Sequence, residues 1–248
     1  MIWVFLSLAA VVIIILATDI FRWQMIRGII WRPPPIDPEK KTVVIIDPMH
    51  RPPEKNRIVN PAYFLADYII KLADVNIDLI HYPQAGTGRV MRHNPVCVLL
   101  SGQIAPWTDY RAEDLEPVFD FIRETSLPVL GICGGHQVIA QAFKAPVAPM
   151  GYQEIGYIQV ELAGEDPLFD GMQSPLTVYS FHGEEIKEMP AGFEALGSSK
   201  RCRIQCMRHR ERTLYGVQFH PELSGRKPDG TALLRNFLRR AGLTLRRS

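Results

Sequence analysis

The sequence predicts an α/β fold, a mostly parallel sheet with flanking helices and an antiparallel edge, preceded by one transmembrane helix. Three observations carry this. Short apolar, β-branched runs alternate with segments of helical spacing through the first half, as in parallel strands joined by crossover helices. The second half carries strand-like alternation with few helical segments, which extends the sheet or forms an antiparallel edge. Ahead of both lies an uncharged apolar run long enough to approach a bilayer span.

That run comes first. From Met1 to Thr18 no side chain is charged, and Val11 to Leu16 is unbroken Val, Ile and Leu. With Ile20 and Phe21 it approaches the ~20 residues a helix needs to cross a membrane. Asp19 is the first charge, followed by Arg22, Arg27 and Arg32. A cleavable signal peptide carries its positive charge before the apolar stretch, whereas here it follows. The positive-inside rule then places the remaining chain on the cytoplasmic side of a single-pass protein, with Trp3, Trp23 and Trp31 as interfacial anchors. Residues 22–41 read as a juxtamembrane and linker segment. Pro33, Pro34, Pro35 and Pro38 favour an extended polyproline spacer there.

The domain proper is expected over 42–248. Thr42 to Asp47 suits a strand buried on both faces. Phe64, Leu65, Tyr68, Ile69 and Leu72 recur at helical spacing within 61–73. Further strands are expected at 78–82, 95–101 and 127–133, with helices at 115–124 and 136–143. In the second half, 155–162, 177–181, 203–208 and 214–219 read as strands, and 231–241 as a closing helix with a basic outer face.

Composition narrows the function classes. The formal net charge is +2, which argues against a nucleic-acid binder with its broad basic footprint. Hydrophobic residues make up 47%, enough for a substantial core. The four cysteines (Cys97, Cys133, Cys202 and Cys206) form no pair of CxxC motifs, so neither metal nor cofactor is expected.

Two segments carry chemistry. In Leu130-Gly131-Ile132-Cys133-Gly134-Gly135-His136-Gln137 an apolar strand enters a tight turn and a helix begins at once. A nucleophile there is presented at the sheet's carboxyl edge, and the helix N-terminus favours the thiolate. The second segment, Tyr215 to Glu222, is a strand ending in His220-Pro221-Glu222. A thiol nucleophile needs an imidazole to move its proton, and the imidazole needs a carboxylate to fix its orientation. His136 is expected to be structural because His220 fills the base role. His50, His81, His93 and His209 show no partner in the sequence and are expected to be ordinary surface or loop histidines.

On these two motifs the chain resembles the class I glutamine amidotransferases, which use a Cys-His-Glu triad. Leu99-Leu100-Ser101-Gly102 is similar to the family's strand-and-glycine loop, and Tyr179 to Ile186 to its Ser-x-His segment. The later segments look closest to the amidotransferase domain of GMP synthetase. The resemblance implies a flavodoxin-like sheet and hydrolysis of the glutamine side-chain amide, with ammonia passed to a synthase partner. It implies Cys133 as nucleophile, His220 as base then acid, and Glu222 as its orienting carboxylate. Backbone groups at Gly102, Gln103 and Gly134 would hold the oxyanion, and Gln137, Phe181, His182 and Gly183 would bind substrate. The family loop often has a second glycine where Gln103 stands, which leaves an altered oxyanion hole open. Two other readings stay open: a hydrolase of γ-glutamyl peptides or amines, and a non-catalytic tethered module.

Overall fold

The computed structural model describes residues 32–52, 60–223, 225 and 227–247. The expected anchor at 1–21 and the start of the linker lie outside the described residues. Among those described, no helix is long and apolar enough to cross a membrane. The described part of the linker carries no helix or strand over 32–37 and touches the domain at two points. The Arg32 guanidinium lies 4.9 Å above the Tyr63 ring, and Asp37 N–H donates to Asn76 Oδ1 (2.9 Å) while Asn76 Nδ2 returns a bond to Asp37 O (2.7 Å). These contacts tie the segment to the domain at Arg32 and Asp37, while Pro34, Pro35 and Pro38 stay exposed.

Among the described residues, nine strands run in the order β2-β1-β3-β4-β9-β8-β7-β5-β6. They are β1 (Thr42–Asp47), β2 (Asn76–His81), β3 (Cys97–Leu100), β4 (Val129–Ile132), β5 (Val147–Leu162), β6 (Leu176–Ile186), β7 (Phe193–Ser198), β8 (Cys206–His209) and β9 (Leu214–Val217). The first five in that spatial order are mutually parallel, and the other four pair antiparallel. The strand at 214–217 is therefore a central parallel strand beside β4, not part of the antiparallel edge. The strand β7 was not expected, and β5 begins at Val147, ahead of the expected start.

The helices α1 (Pro61–Leu72), α2 (Ala112–Glu124), α3 (Gly134–Ala142) and α4 (Pro228–Arg240) form two layers. In β1, Val43 and Ile45 join the core beneath α1 and α4, while Val44 and Ile46 join the one beneath α2 and α3. All four side chains are fully buried, each contributing roughly 1.5–3 kcal/mol, and the β-branched run follows from having no wet face. The start of α1 is fixed by sequence chemistry: Asn60 Oδ1 accepts the Ala62 N–H (2.8 Å) and Pro61 occupies the first turn. The arrangement β2-β1-β3-β4 with a fifth parallel strand is flavodoxin-like, and such sheets bind ligands beyond their strands' carboxyl ends. The loops after β1, β3, β4 and β9 all emerge at that edge.

Candidate active site

Cys133 stands between β4 and α3 with φ 51° and ψ −106°, a backbone conformation an L-residue avoids. The strain is held by contacts around it. Cys133 N–H donates to Val217 O (2.8 Å) and Gly135 N–H to Ser101 O (2.9 Å), pinning the turn between neighbouring strands. A Cβ on Gly135 would stand 2.4 Å from Leu100 O, and one on Gly134 2.8 Å from Gln103 N. Only glycine lets the elbow sit this close to the β3 loop. The thiol is 4% exposed, and its Sγ lies 3.8 Å from Phe181 O.

His220 follows β9 and enters the same space. Its N–H donates to Tyr179 O (2.8 Å), tying the segment to β6, and Pro221–Leu223 closes as a single 3₁₀ turn. The turn brings Glu222 under the imidazole, with Nδ1 donating to Glu222 Oε1 at 2.7 Å. Both side chains are buried, which strengthens the pair. Burial alone would lower the His220 pKa. The charge of a Cys133 thiolate and of Glu222, with hydrogen bonds to both, raises it well above the ordinary value. A Cβ on Gly102 would lie 2.8 Å from His220 Cε1 and 3.7 Å from Cys133 Cβ, so the three meet at one point. A cleft of about 400 Å³ opens there, bounded by Gln103, Ile104, Cys133, Gln153, Phe181 and Glu184.

A buried thiol beside a carboxylate-backed imidazole, at the mouth of a cleft, can perform acyl transfer. Residues 62–241 match the family model described as "Glutamine amidotransferase class-I". The chain belongs to the class-I glutamine amidotransferases. Over 149 residues it is 36% identical to a glutamine-hydrolysing GMP synthase subunit from Pyrococcus abyssi, covering 60% of this chain and 77% of that protein. To the corresponding protein from Methanosarcina acetivorans it is 43% identical over 122 residues, 48% of this chain and 62% of that one. The crystal structure of a glutamine amidotransferase from Thermotoga maritima superposes with a TM-score of 0.64 at 20% identity, covering 82% of this chain and 98% of that one. This amidotransferase is thus an enzyme of flavodoxin-like α/β fold.

Gln137, Phe181, His182 and Gly183, the residues expected to bind substrate, all line the cleft. His182 does not present its ring there. It is turned inward, with Nε2 3.0 Å from Glu154 Oε2 and Nδ1 3.0 Å from Glu184 O. Strand alternation explains this, since Phe181 faces out and its neighbour must face in. Gln137 reaches the cleft wall, but its amide is committed to the protein. Nε2 donates to Glu184 O (2.8 Å) and Gln218 Oε1 (3.0 Å), and Oε1 accepts from Trp107 Nε1 (2.7 Å). These bonds join the Trp107 loop to β6.

The Gln103 side chain packs over Gly134 and accepts from Tyr110 Oη (3.3 Å), which is itself bonded to Pro48 O (2.7 Å). The Gln103 loop is thereby fastened to the loop after β1 at Pro48. All four histidines expected to be without partners have them: His81 Nε2 contacts Met49 O (2.8 Å), His93 Nε2 lies 4.0 Å from Asp78 Oδ2, and His50 and His209 pack edge-on against Tyr110 and Phe193. His136 is fully buried with Nε2 at 3.1 Å from Ile204 O, and burial holds its pKa at about 3. Sequence reading placed the segment up to Glu184 beside the substrate but missed Glu154. Burial raises the carboxyl of Glu184 above its ordinary value.

Proposed function

We propose that this domain hydrolyses the side-chain amide of glutamine and hands the ammonia to a separate synthase subunit. The observation that carries the reading is the convergence of Cys133, the His220–Glu222 pair and Gly102 at one cleft. The Cys133 sulfur attacks the amide carbon, and its proton passes through His220 to the departing nitrogen. Ammonia leaves and a γ-glutamyl thioester remains. His220 then takes a proton from water, the resulting hydroxide attacks the thioester carbon, and the thiol regains its proton as glutamate departs. Backbone N–H groups of Gly134 and of the Gly102–Gln103 loop would stabilise the oxyanion. The raised pKa of His220 favours its protonated form, ready to give a proton to the departing nitrogen. The match to glutamine-hydrolysing GMP synthase subunits supports a partner protein that consumes the ammonia, and GMP synthesis is the acceptor reaction to test first.

The apolar run at 1–21 supports a further element, a membrane tether with the domain on the cytoplasmic side. The purified full-length chain should release ammonia from glutamine, alone or with an added synthase partner, and Cys133→Ser should abolish the release. Ammonia release that survives Cys133→Ser would overturn the thioester route. Preferential turnover of γ-glutamyl peptides would assign the triad to a different substrate. For the tether, the full-length chain should partition with membranes and resist alkaline extraction. Recovery in the aqueous fraction without detergent would end that part of the reading.

A further inference from the structure

Along β5 and β6 the usual distribution of polarity is reversed at one register position. Glu154 pairs with His182 and Ile155 pairs with Phe181. The apolar members face outward, Ile155 at 55% exposure and Phe181 at 43%, while Glu154 and His182 are buried at 5% and 7%. Burying a charged pair in place of an available isoleucine and phenylalanine sacrifices hydrophobic stabilisation. Such local violations concentrate where a site imposes its own geometry.

The buried pair is fully connected. Glu154 Oε2 accepts from His182 Nε2 (3.0 Å), Gln205 Nε2 (2.7 Å) and Ser180 Oγ (3.4 Å), and Oε1 accepts from Ser199 Oγ (3.1 Å). The other His182 nitrogen, Nδ1, faces a second acceptor, Glu184 O, at 3.0 Å. Each ring nitrogen thus faces an oxygen, and the ring is held from both sides. Burial would raise the Glu154 carboxyl, but its bonds to His182, Ser199 and Gln205 hold it below the ordinary range. From Glu184 O the chain of bonds continues to Gln137 Nε2 (2.8 Å), and from Gln137 Oε1 to Trp107 Nε1 (2.7 Å). One line of hydrogen bonds thus runs from β5, behind β6, to the loop on the opposite wall of the cleft.

We infer that Glu154 is a positioning residue for glutamine binding. Acting through His182, it fixes the Phe181–Glu184 edge of the cleft. It does not touch the reacting atoms, and the triad is assembled without it. The inference rests on the reading of the cleft as a glutamine site.

The test uses the full-length protein, with iodoacetamide as the probe of Cys133 and glutamine as the protecting ligand. In Glu154→Gln the carboxylate is replaced at nearly constant shape. The glutamine concentration that half-protects Cys133 should rise about tenfold, as should KM for glutamine, because a buried donor loses its acceptor and the wall shifts. The alkylation rate without glutamine and kcat should stay within about twofold of wild type. Ser199→Ala, which removes one partner of Glu154 at a half-buried position, should move protection in the same direction by a smaller factor. It decides the matter if Glu154→Gln does not fold. Unchanged protection in the folded variant overturns the proposal, as does a parallel fall in alkylation rate and kcat, which would place Glu154 in support of the triad. A wild-type protein that glutamine does not protect at all would instead overturn the glutamine reading, and this proposal with it.

Discussion

The close approach of Gly102 to the His220 ring gives a quantitative prediction. Replacing Gly102 with alanine places a methyl group 2.8 Å from His220 Cε1, where ordinary contact begins near 3.4 Å, so the ring must retreat by about 0.6 Å (3.4 − 2.8). Nothing else limits the methyl, since Pro61 Cβ at 3.6 Å and Cys133 Cβ at 3.7 Å are ordinary neighbours. His220 has little room to give. Its Nδ1 is held by Glu222 at 2.7 Å and its backbone by Tyr179 O at 2.8 Å. A displacement of this size exceeds the ~0.5 Å tolerance of a working constellation. It should lower kcat by about 10- to 100-fold, or roughly 1.4–2.7 kcal/mol of barrier. Overpacking should lower stability by about 1–3 kcal/mol, leaving the protein folded. Gly88→Ala is the control, because a Cβ there meets nothing within 4 Å. The assay is glutaminase kcat beside the iodoacetamide reactivity of Cys133, with folding checked by thermal denaturation. A folded Gly102→Ala protein with kcat within twofold of wild type would refute the idea that His220 is confined from this side.

Three further outcomes follow from the same elbow and its surroundings. Gly135→Ala drives a Cβ to 2.4 Å from Leu100 O, a backbone atom that cannot swing aside, so we expect a loss of at least about 3 kcal/mol and little folded protein in a thermal melt. Cys133→Gly should exceed Cys133→Ala in stability by about 1 kcal/mol, because only glycine adopts φ 51° and ψ −106° without strain; equal melting temperatures would refute a strained elbow. His136 is neutral in the folded protein, with a pKa of about 3 against an ordinary 6.5. Between those values the unfolded chain binds the extra proton, so stability should fall by roughly 3–5 kcal/mol as pH drops from 6.5 to 3. His136→Gln should flatten that slope in urea titrations, and an unchanged slope would assign the acid sensitivity elsewhere.

Much of the parallel half was legible because its signals are local. A β-branched run such as Thr42 to Asp47 must be a doubly buried strand, and Asn60-Pro61 must open a helix, whatever surrounds them. The antiparallel half was harder. In β5, Pro149 and Gly151 read as punctuation, yet the strand runs through them because β6 pairs with Val147 to Pro149 before the register shifts. The strand β7 shows a weak alternation, Phe193-Glu194-Ala195-Leu196-Gly197-Ser198, and Gly197 belongs to a register shift against β8. Neither is decided by propensity. Both are decided by a partner strand far along the chain, as is the placing of β9 in the middle of the sheet.

The candidate site divides along the same line. Cys133, His220 and Glu222 could be found because each sits on a turn whose residue types are dictated by the turn itself: glycines around the nucleophile, and a proline that seats the carboxylate two residues beyond the imidazole. The cleft walls follow another logic. A glutamate followed by an isoleucine reads as a solvent-facing charge beside a core residue, and at 154–155 that reading is inverted. The inversion cannot be recognised until the register sets Glu154 against His182, because a buried carboxylate is tolerable only with its partners in place. Once they are in place, the same bond that makes Glu154 tolerable explains why His182 lines the cleft with its ring turned inward. With one ring nitrogen facing Glu154 and the other facing Glu184 O, neither is turned toward a substrate.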